Sequence, residues 1–321
     1  MEHLALFALG LALLVLGEPL LVFGAARLDR AIGRSPFAVG IVAVAFGPCL
    51  AGLAFDLAAV MQPAPGALPR LAVGHIIGSN IASLGLVLGV ASLVRPVAAT
   101  AKLFYTAIPL ALGAVLLFWF LARNAPQLPL SRVDAGFLLA AFMVSMVLLI
   151  RAAKQEFESA KAEFASWVPE RMRLWLAAVF ALAGLAALVG GALLSASEAI
   201  RAAIYLKASS LKLGTTVAAF GTALPPLVAA IIAARQGRSN LVLGIVLGSV
   251  LFNMLLTVGV VAMAHPPIVE NDAIMKAIPA MAGFTLLLLP VLLNGLQVPR
   301  WEGAILLAAY IGFMVWQLAP R

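Results

Sequence analysis

The chain has 321 residues, of which 64% are hydrophobic and 11% are charged, and its formal net charge is +8. Its mean hydropathy of +1.11 excludes a soluble domain, because a soluble chain of this length cannot bury so much apolar surface. The composition favours a polytopic membrane protein. Its basic residues are expected to lie near anionic lipid headgroups, and no nucleic-acid partner is expected.

Apolar runs of about 20 residues without strict alternation favour membrane-spanning helices over the strands of a barrel. The first run has no basic segment before it and is too long for the apolar core of a signal peptide, so it predicts a helix. Helices also satisfy every backbone polar group internally, as lipid requires. Ten spans are predicted, at about 3–25, 36–60, 72–94, 104–121, 134–151, 173–195, 211–234, 239–263, 273–293 and 301–319.

A long charged segment follows the fifth predicted span and reads "RAAKQEFESAKAEFASWVPERMR". It divides the chain into two five-span halves, 1–150 and 173–321, joined by a linker at 151–172. The linker is either a solvated connector or a regulatory segment. Placing it in the cytoplasm puts most lysines and arginines on that side, as the positive-inside rule favours. Both termini are then outside.

The two halves share a pattern. The segment "GHIIGSNIASLGLVLGVASLVRP" at 74–96 aligns without gaps with "GIVLGSVLFNMLLTVGVVAMAHP" at 244–266, and "GIVAVAFG" at 40–47 aligns with "GTTVAAFG" at 214–221. Because five is an odd number of spans, the second half enters the membrane in the opposite orientation. The pattern predicts an inverted repeat, which is typical of secondary transporters with a site near the membrane midplane.

Helix breakers lie beside the repeated segments. The pair Pro225-Pro226 interrupts the hydrogen-bond ladder of the seventh span, and carbonyls freed in this way must line a cavity or be buried in protein. Small residues in spans usually mark only close helix contacts, but their recurrence at matched positions favours a site. The predicted breaks and close contacts are Gly47, Pro48, Gly78, Gly221, Pro225, Pro226 and Gly248, and the four glycines are expected to face one another.

These motifs resemble the alpha repeats of the cation/calcium antiporter superfamily, the sodium/calcium exchangers and their relatives. The family writes them roughly as G-T-S-x-P-E on the second and seventh spans, and as G-N-x-x-G-S-N-x-x-[ND] on the third and eighth. The segments here are "GPCLAG" at 47–52, "GTALPP" at 221–226, and the two segments that begin at Gly74 and Gly244. The resemblance implies an all-α integral membrane protein with ten transmembrane helices in a 5+5 inverted-topology repeat, in a bacterial or archaeal plasma membrane.

The chain departs from the family at the main cation ligands. The resemblance implies a glutamate at the end of each first motif, and those slots hold Gly52 and Pro226. Cys49 stands in a hydroxyl slot, where it is expected to pack. Calcium takes about six to eight oxygen ligands and normally requires carboxylates, and neutral groups alone would leave a buried charge uncompensated. We therefore expect no tight calcium site, and a monovalent cation or a proton as the ligand.

Three ionisable residues offer replacements. Asp56 lies one helical turn beyond the vacant slot on the same face, so it either replaces the lost carboxylate or reaches headgroups or water. Glu18 precedes a proline that can kink its helix, and it either serves that kink or joins two helices by a hydrogen bond. His75 is either a plain hydrogen-bond donor or a group that exchanges a proton near neutral pH. The candidate cation- or substrate-binding residues are Asp56, His75, Ser79, Ser83, Thr222, Ser249 and Asn253.

Two functions are compatible with this pattern. The first is a secondary-active cation antiporter of the sodium/calcium exchanger type with altered ion choice. The alternative is a non-transporting binding or regulatory membrane protein on the same fold. No enzyme is predicted, since the sequence contains neither H-E-x-x-H nor G-x-S-x-G, and no cofactor is expected. The two functions differ in whether the central cavity is polar and open to water or filled by apolar side chains.

Overall fold

The computed structural model describes residues 2–32, 47–61, 67–98, 100–124, 130–152, 172–205, 209–267, 269, 271, 273–290 and 295–319. These residues are mostly helical. The start of the second predicted span, most of the predicted linker and the end of the ninth predicted span lie outside the described residues.

The described residues of the first half form five helical segments and one short strand. One helix, α3, is interrupted by a π-helical turn, so that it consists of Ala67–Ala82, the turn Ser83–Val87, and Leu88–Val94. In chain order the elements are α1 (Glu2–Ile32), α2 (Gly47–Met61), α3 (67–94), β1 (Val97–Ala98), α4 (Ala101–Asn124) and α5 (Arg132–Ala152).

The described residues of the second half form helices with more interruptions. In chain order its elements are α6 (Leu174–Tyr205), α7 (210–222), α8 (Leu224–Arg235), α9 (239–264), α10 (273–286), β2 (Gln297–Val298) and α11 (Arg300–Leu318). Three of these helices contain a π-helical turn, at Gly214–Ala218 in α7, Phe252–Thr257 in α9 and Ala273–Ala277 in α10. The strands β1 and β2 pair antiparallel, with Val97 opposite Val298.

Seven described helical segments are long and apolar enough to cross a membrane, and the number is eight if the bent pair α7–α8 counts as one span. The bend between α7 and α8 is 44°. It lies where Pro225 and Pro226 occupy the first turn of α8. A proline fits that turn because the first-turn amides have no partner within the helix.

The helices α3 and α9 form the centre of the molecule. Along their most apolar stretches they are 89% and 83% buried, whereas the corresponding values for α1, α5, α6 and α11 lie between 22% and 28%. The outer helices expose large apolar side chains such as Leu182 and Val315. Such exposure is costly in water and suits a surface that faces lipid acyl chains.

Close backbone contacts join α1 to α6. A Cβ atom added to Gly10 would lie 2.6 Å from the backbone nitrogen of Ser195, and one added to Gly24 would collide with the backbone of Ala181. As the contacts ascend α1 they descend α6, so the two helices are antiparallel. Small residues permit this approach, which gains dispersion energy where no hydrophobic effect operates.

Equivalent helix contacts occur in both halves. Gly89 of α3 packs against α11, where an added Cβ would lie 3.0 Å from the carbonyl oxygen of Gly303. Its repeat equivalent, Gly259 of α9, packs against α5, where an added Cβ would lie 3.3 Å from the carbonyl oxygen of Ala135. The π-helical turns of α3 and α9 also lie at equivalent positions of the repeat. The sequence repeat is therefore also a repeat of packing.

Candidate functional site

A small buried cavity lies where α2, α3 and α9 meet the α7–α8 bend. Its volume is about 20 Å³, which is room for roughly one water molecule or one small ion. Its lining residues are Cys49, Gly52, Ser79, Ser83, Thr222, Ala223, Pro226, Ser249 and Asn253.

The lining residues come from matching places in the two halves. With Thr222 set aside, the remaining residues form four pairs that occupy equivalent positions in the sequence repeat. Repeat-equivalent segments of the two halves therefore line the same small cavity. The pairs are Cys49 with Ala223, Gly52 with Pro226, Ser79 with Ser249, and Ser83 with Asn253.

Two of the polar side chains in the lining are available to a ligand. Ser83 and Asn253 are 4% and 8% exposed, and neither side chain hydrogen-bonds to another residue in the described part of the chain. Both lie in or at the start of a π-helical turn, an interruption that is frequent at functional sites. A buried polar group without a protein partner is costly unless a water molecule or a ligand satisfies it.

The other hydroxyl groups of the lining are partly engaged. The Cys49 thiol donates to Ser249 Oγ at 3.2 Å, and the Ser249 hydroxyl donates to the carbonyl oxygen of Ile245 at 2.7 Å. Cys49 was expected only to pack, but it lies at the wall of the cavity. Cys49 and Ala223 occupy equivalent positions of the sequence repeat, and both line the cavity. The alignment of the two halves is therefore the sequence signal for the position of Cys49.

Asp56 and His75 lie directly behind the cavity wall. Asp56 Oδ1 is 2.8 Å from His75 Nδ1, and His75 Nε2 is 2.7 Å from Thr222 Oγ1 and 3.2 Å from Ser79 Oγ. Asp56 and His75 are each 1% exposed. Asp56 therefore lies inside the protein rather than at a surface that reaches headgroups, and a chain of hydrogen bonds joins α2 through α3 to α7.

This chain of hydrogen bonds allows two proton arrangements. In the first, His75 is neutral, Nδ1–H donates to Asp56, and Nε2 accepts the hydroxyl proton of Thr222 or Ser79. In the second, both ring nitrogens donate, and the Thr222 hydroxyl donates to the carbonyl oxygen of Ala218, 3.1 Å away. The two arrangements differ by one proton.

The imidazole of His75 covers the slot at which the family pattern places a glutamate. A Cβ atom added to Gly52 would lie 3.2 Å from His75 Cε1 and 4.0 Å from His75 Nε2. The ring of Phe55 also packs against the imidazole, with 4.8 Å between ring centroids. Position 52 has glycine in place of the family's glutamate, and the imidazole of His75 fills part of the space that a side chain there would take.

The glycines at the predicted helix contacts do not all face one another. Gly78 packs against α7, where an added Cβ would lie 2.5 Å from the carbonyl oxygen of Thr215. Gly221 instead packs against the side chain of Leu11 in α1, so the expected arrangement of four facing glycines is wrong. Gly248 is buried within α9. The side chains of Glu18 and Pro48 and the surroundings of Gly47 lie outside the described part of the structure.

A preformed multi-carboxylate site is not found among the described residues. They contain no cluster of three or more His, Cys, Asp and Glu side chains that could hold a metal ion. The cavity supplies neutral oxygens, one amide and one thiol. Its chemistry suits a water molecule, a proton carrier or a weakly held small cation better than a divalent ion.

Interrupted helices of two matching halves that enclose a buried polar cavity are the architecture of secondary transporters. The chain belongs to the sodium/calcium exchanger family, since the family described as "Sodium/calcium exchanger protein" matches residues 2–151 and 175–319. It is an integral membrane protein of a family of transporters rather than of enzymes.

Its relatives extend over nearly the whole chain. The putative antiporter CaxA of Alkalimonas amylolytica is 32% identical over 89% of both chains. The sodium/calcium exchanger MaX1 of Methanosarcina acetivorans is 30% identical over 97% of both chains. The solved structure of a sodium/calcium exchanger from Methanococcus jannaschii superposes with a TM-score of 0.62 at 26% identity, over 96% of both chains.

Proposed function

We propose that this protein is a secondary-active cation antiporter of the exchanger type that moves a monovalent cation or a proton in place of calcium. The observation that carries the proposal is the cavity itself. Ser83 and Asn253 offer it polar groups that bond to no other described side chain. Behind its wall, His75 lies one hydrogen bond from the lining, and Asp56 lies one hydrogen bond beyond His75.

The proposed architecture is a 5+5 inverted repeat of ten transmembrane helices. The antiparallel contact of α1 with α6 supports it, as do the equivalent packing of Gly89 and Gly259 and the paired lining of the cavity. The halves are 1–150 and 173–321, with a cytoplasmic linker at 151–172. Both termini are outside the plasma membrane of a bacterium or an archaeon, since that orientation places most basic residues in the cytoplasm.

The charge at the site decides the ion. A divalent cation loses most of its hydration on entering such a space, and neutral oxygens alone do not offset that loss. A monovalent cation requires less compensation, and an ionisable partner inside the membrane usually accompanies it. Asp56 supplies such a partner within two hydrogen bonds of the cavity lining. An antiporter also needs a second occupant, and the proton held by Asp56 and His75 serves as one.

The test is ion flux in proteoliposomes under imposed sodium, potassium, calcium and proton gradients. The wild-type protein is expected to show sodium- or potassium-coupled proton movement and no calcium flux. Asp56→Asn should reduce the coupled flux at least about tenfold, because the group that balances the transported charge is lost. His75→Ala should shift the pH dependence of the remaining flux.

The matched control is Asp134→Asn. Asp134 accepts hydrogen bonds from Ser131 at the start of α5, far in sequence from the cavity lining, so its flux should equal that of the wild type. If Asp56→Asn also equals the wild type, the charge of Asp56 plays no part in transport. If the wild type carries no ion under any gradient, the non-transporting binding or regulatory protein becomes the better assignment.

A further inference from the structure

The contact between His75 and Gly52 indicates how divalent ions are kept out of the cavity. The imidazole lies against the Cα atom of Gly52, and an added Cβ would already lie 3.2 Å from His75 Cε1. We propose that His75 is a selectivity residue, which excludes divalent cations by filling the space beside Gly52 and by holding Asp56 away from the cavity. The proposal rests on the proposed function, since it concerns the ion choice of the same cavity.

The imidazole is fixed in this position. Asp56 holds Nδ1, while Thr222 and Ser79 hold Nε2. The ring of Phe55 packs against one side of the imidazole, and the side chain is 1% exposed. Displacing the ring would leave several buried polar groups without partners, which typically costs about 1–3 kcal/mol for each group. The imidazole therefore cannot move aside easily, and a cation that enters the cavity gains no additional space beside Gly52.

The same histidine determines which oxygens the cation meets. Asp56 lies one helical turn from Gly52 on α2, but its carboxylate bonds to His75 and is not part of the cavity lining. The oxygens at the lining are neutral hydroxyl and amide oxygens. Calcium normally requires carboxylates in its ligand shell. His75 thus removes both the space and the charge that a divalent ion requires.

Calcium binding to the purified protein, measured by titration calorimetry in lipid nanodiscs, tests the proposal without any ion gradient. The wild type should bind calcium no more tightly than millimolar. His75→Asn shortens the side chain and introduces the residue that the family pattern has in this slot, so this variant is expected to fold. It should bind calcium about tenfold more tightly than the wild type. Adding a carboxylate in Gly52→Glu/His75→Asn should strengthen binding further.

Three controls separate the effects of space and charge. His75→Gln keeps a long side chain with an amide that can reach the same partners, and it should bind calcium as weakly as the wild type. Gly52→Glu alone should also bind weakly, because the imidazole still occupies the space that the new carboxylate needs. Asp56→Asn/His75→Asn should lose the gain of the single His75→Asn variant, since the released carboxylate is absent.

Two results would overturn the proposal. One is a Gly52→Glu protein that binds calcium as tightly as Gly52→Glu/His75→Asn, because His75 would then exclude nothing. The other is a His75→Asn protein that elutes as a single species and binds calcium no more tightly than His75→Gln. Because binding is measured at equilibrium, a wild-type protein that fails to transport any ion would contradict the proposed function and leave this proposal standing.

Discussion

Asp56 and His75 place a carboxyl group and an imidazole inside the helical core, where each alone would be costly to bury. Each is the other's hydrogen-bond partner, and the bond between them is 2.8 Å long. Removing one partner of such a pair is more harmful than removing the charge, because the remaining group then lacks a partner. Substitutions of Asp56 that remove its charge and substitutions that remove its hydrogen-bonding oxygen should therefore differ in their effect on stability.

This difference predicts the stability of two Asp56 variants. Asp56→Asn keeps an oxygen that accepts from His75 Nδ1, so its thermal midpoint in detergent should lie within a few degrees of the wild type. Asp56→Ala leaves the imidazole nitrogen unpaired and should be less stable by about 1–3 kcal/mol. Thermal unfolding followed by light scattering or intrinsic fluorescence measures both, and equal midpoints for the two variants would contradict the pairing.

Labelling of Cys49 with a thiol reagent tests whether the cavity lies on the ion path. It is the only cysteine in the chain, it lines the cavity and it is 5% exposed. A small mercurial that enters the cavity should therefore block ion flux in the wild-type protein. In Cys49→Ser, the flux before and after the reagent should be the same. Labelling of Cys49 without any effect on flux would show that the cavity is not on the ion path.

At this scale the sequence predicts the lining better than the contacts behind it. Ser79, Ser83, Ser249 and Asn253 are found by aligning the halves, since repeat-related residues meet at one cavity. The hydrogen bond between Asp56 and His75 could not be predicted. It depends on how α2 and α3 pack against each other, which neither the spacing of residues nor the repeat specifies.

Among the elements, α1 and α6 show how little room the packing leaves. A Cβ atom added to Gly191 would lie 2.8 Å from the carbonyl oxygen of Gly10, whereas one added to its neighbour Gly190 would have no heavy atom within 4 Å. The two glycines are adjacent on α6 but face different surroundings. One faces α1 and the other points away from it.

These two glycines form a matched pair for mutation. Gly191→Ala should lower the thermal midpoint markedly, because the backbone of α1 cannot move aside without losing its other contacts. Gly190→Ala should be neutral or slightly stabilising, since alanine is the better helix former. Both are measured in the same thermal assay. A Gly191→Ala protein as stable as Gly190→Ala would mean that α1 and α6 are not packed as described.

The helix interruptions were predicted unevenly. Pro225 and Pro226 mark the bend between α7 and α8, because a proline removes an amide donor and clashes with the preceding turn. The π-helical turns at Ser83–Val87 and Phe252–Thr257 leave no comparable mark. A π turn adds one residue without requiring a particular residue type, so periodicity alone does not reveal it. The predicted contacts of Gly221 were wrong, because the direction in which a helix face points depends on the neighbouring helices.

For the whole molecule, the proposed orientation makes a prediction about the termini. An odd number of spans in each half, with a cytoplasmic linker between the halves, places both ends outside. An alkaline phosphatase fused after residue 321 should be active, and a green fluorescent protein fused there should be dark. A protease site inserted in the linker should be cut only from the cytoplasmic side. A fluorescent C-terminal fusion would show that the C-terminus lies in the cytoplasm and that the proposed orientation is wrong.

At this scale the resemblance and the composition correctly predicted a mostly helical membrane protein of the exchanger family, and the ten-helix 5+5 architecture stays a prediction. The family assignment follows from motifs that lack their glutamates, since the small residues that let helices approach one another remain after the ligands are lost. The relation between the halves was visible because their spacing is preserved over more than twenty residues at 74–96 and 244–266. The contacts between particular side chains, such as Gly221 with Leu11, depend on the packing of several helices at once.

The chain of hydrogen bonds from Asp56 through His75 to Thr222 has no counterpart in the other half. The repeat-equivalent positions hold Ala230, Ile245 and Pro48. In an inverted repeat of identical halves, exchanging their conformations converts the outward-open state into the inward-open state, so the two states would have equal free energies. A bonded group present on one side only removes this degeneracy. If the protein is the antiporter proposed above, it should therefore rest preferentially open to one side of the membrane.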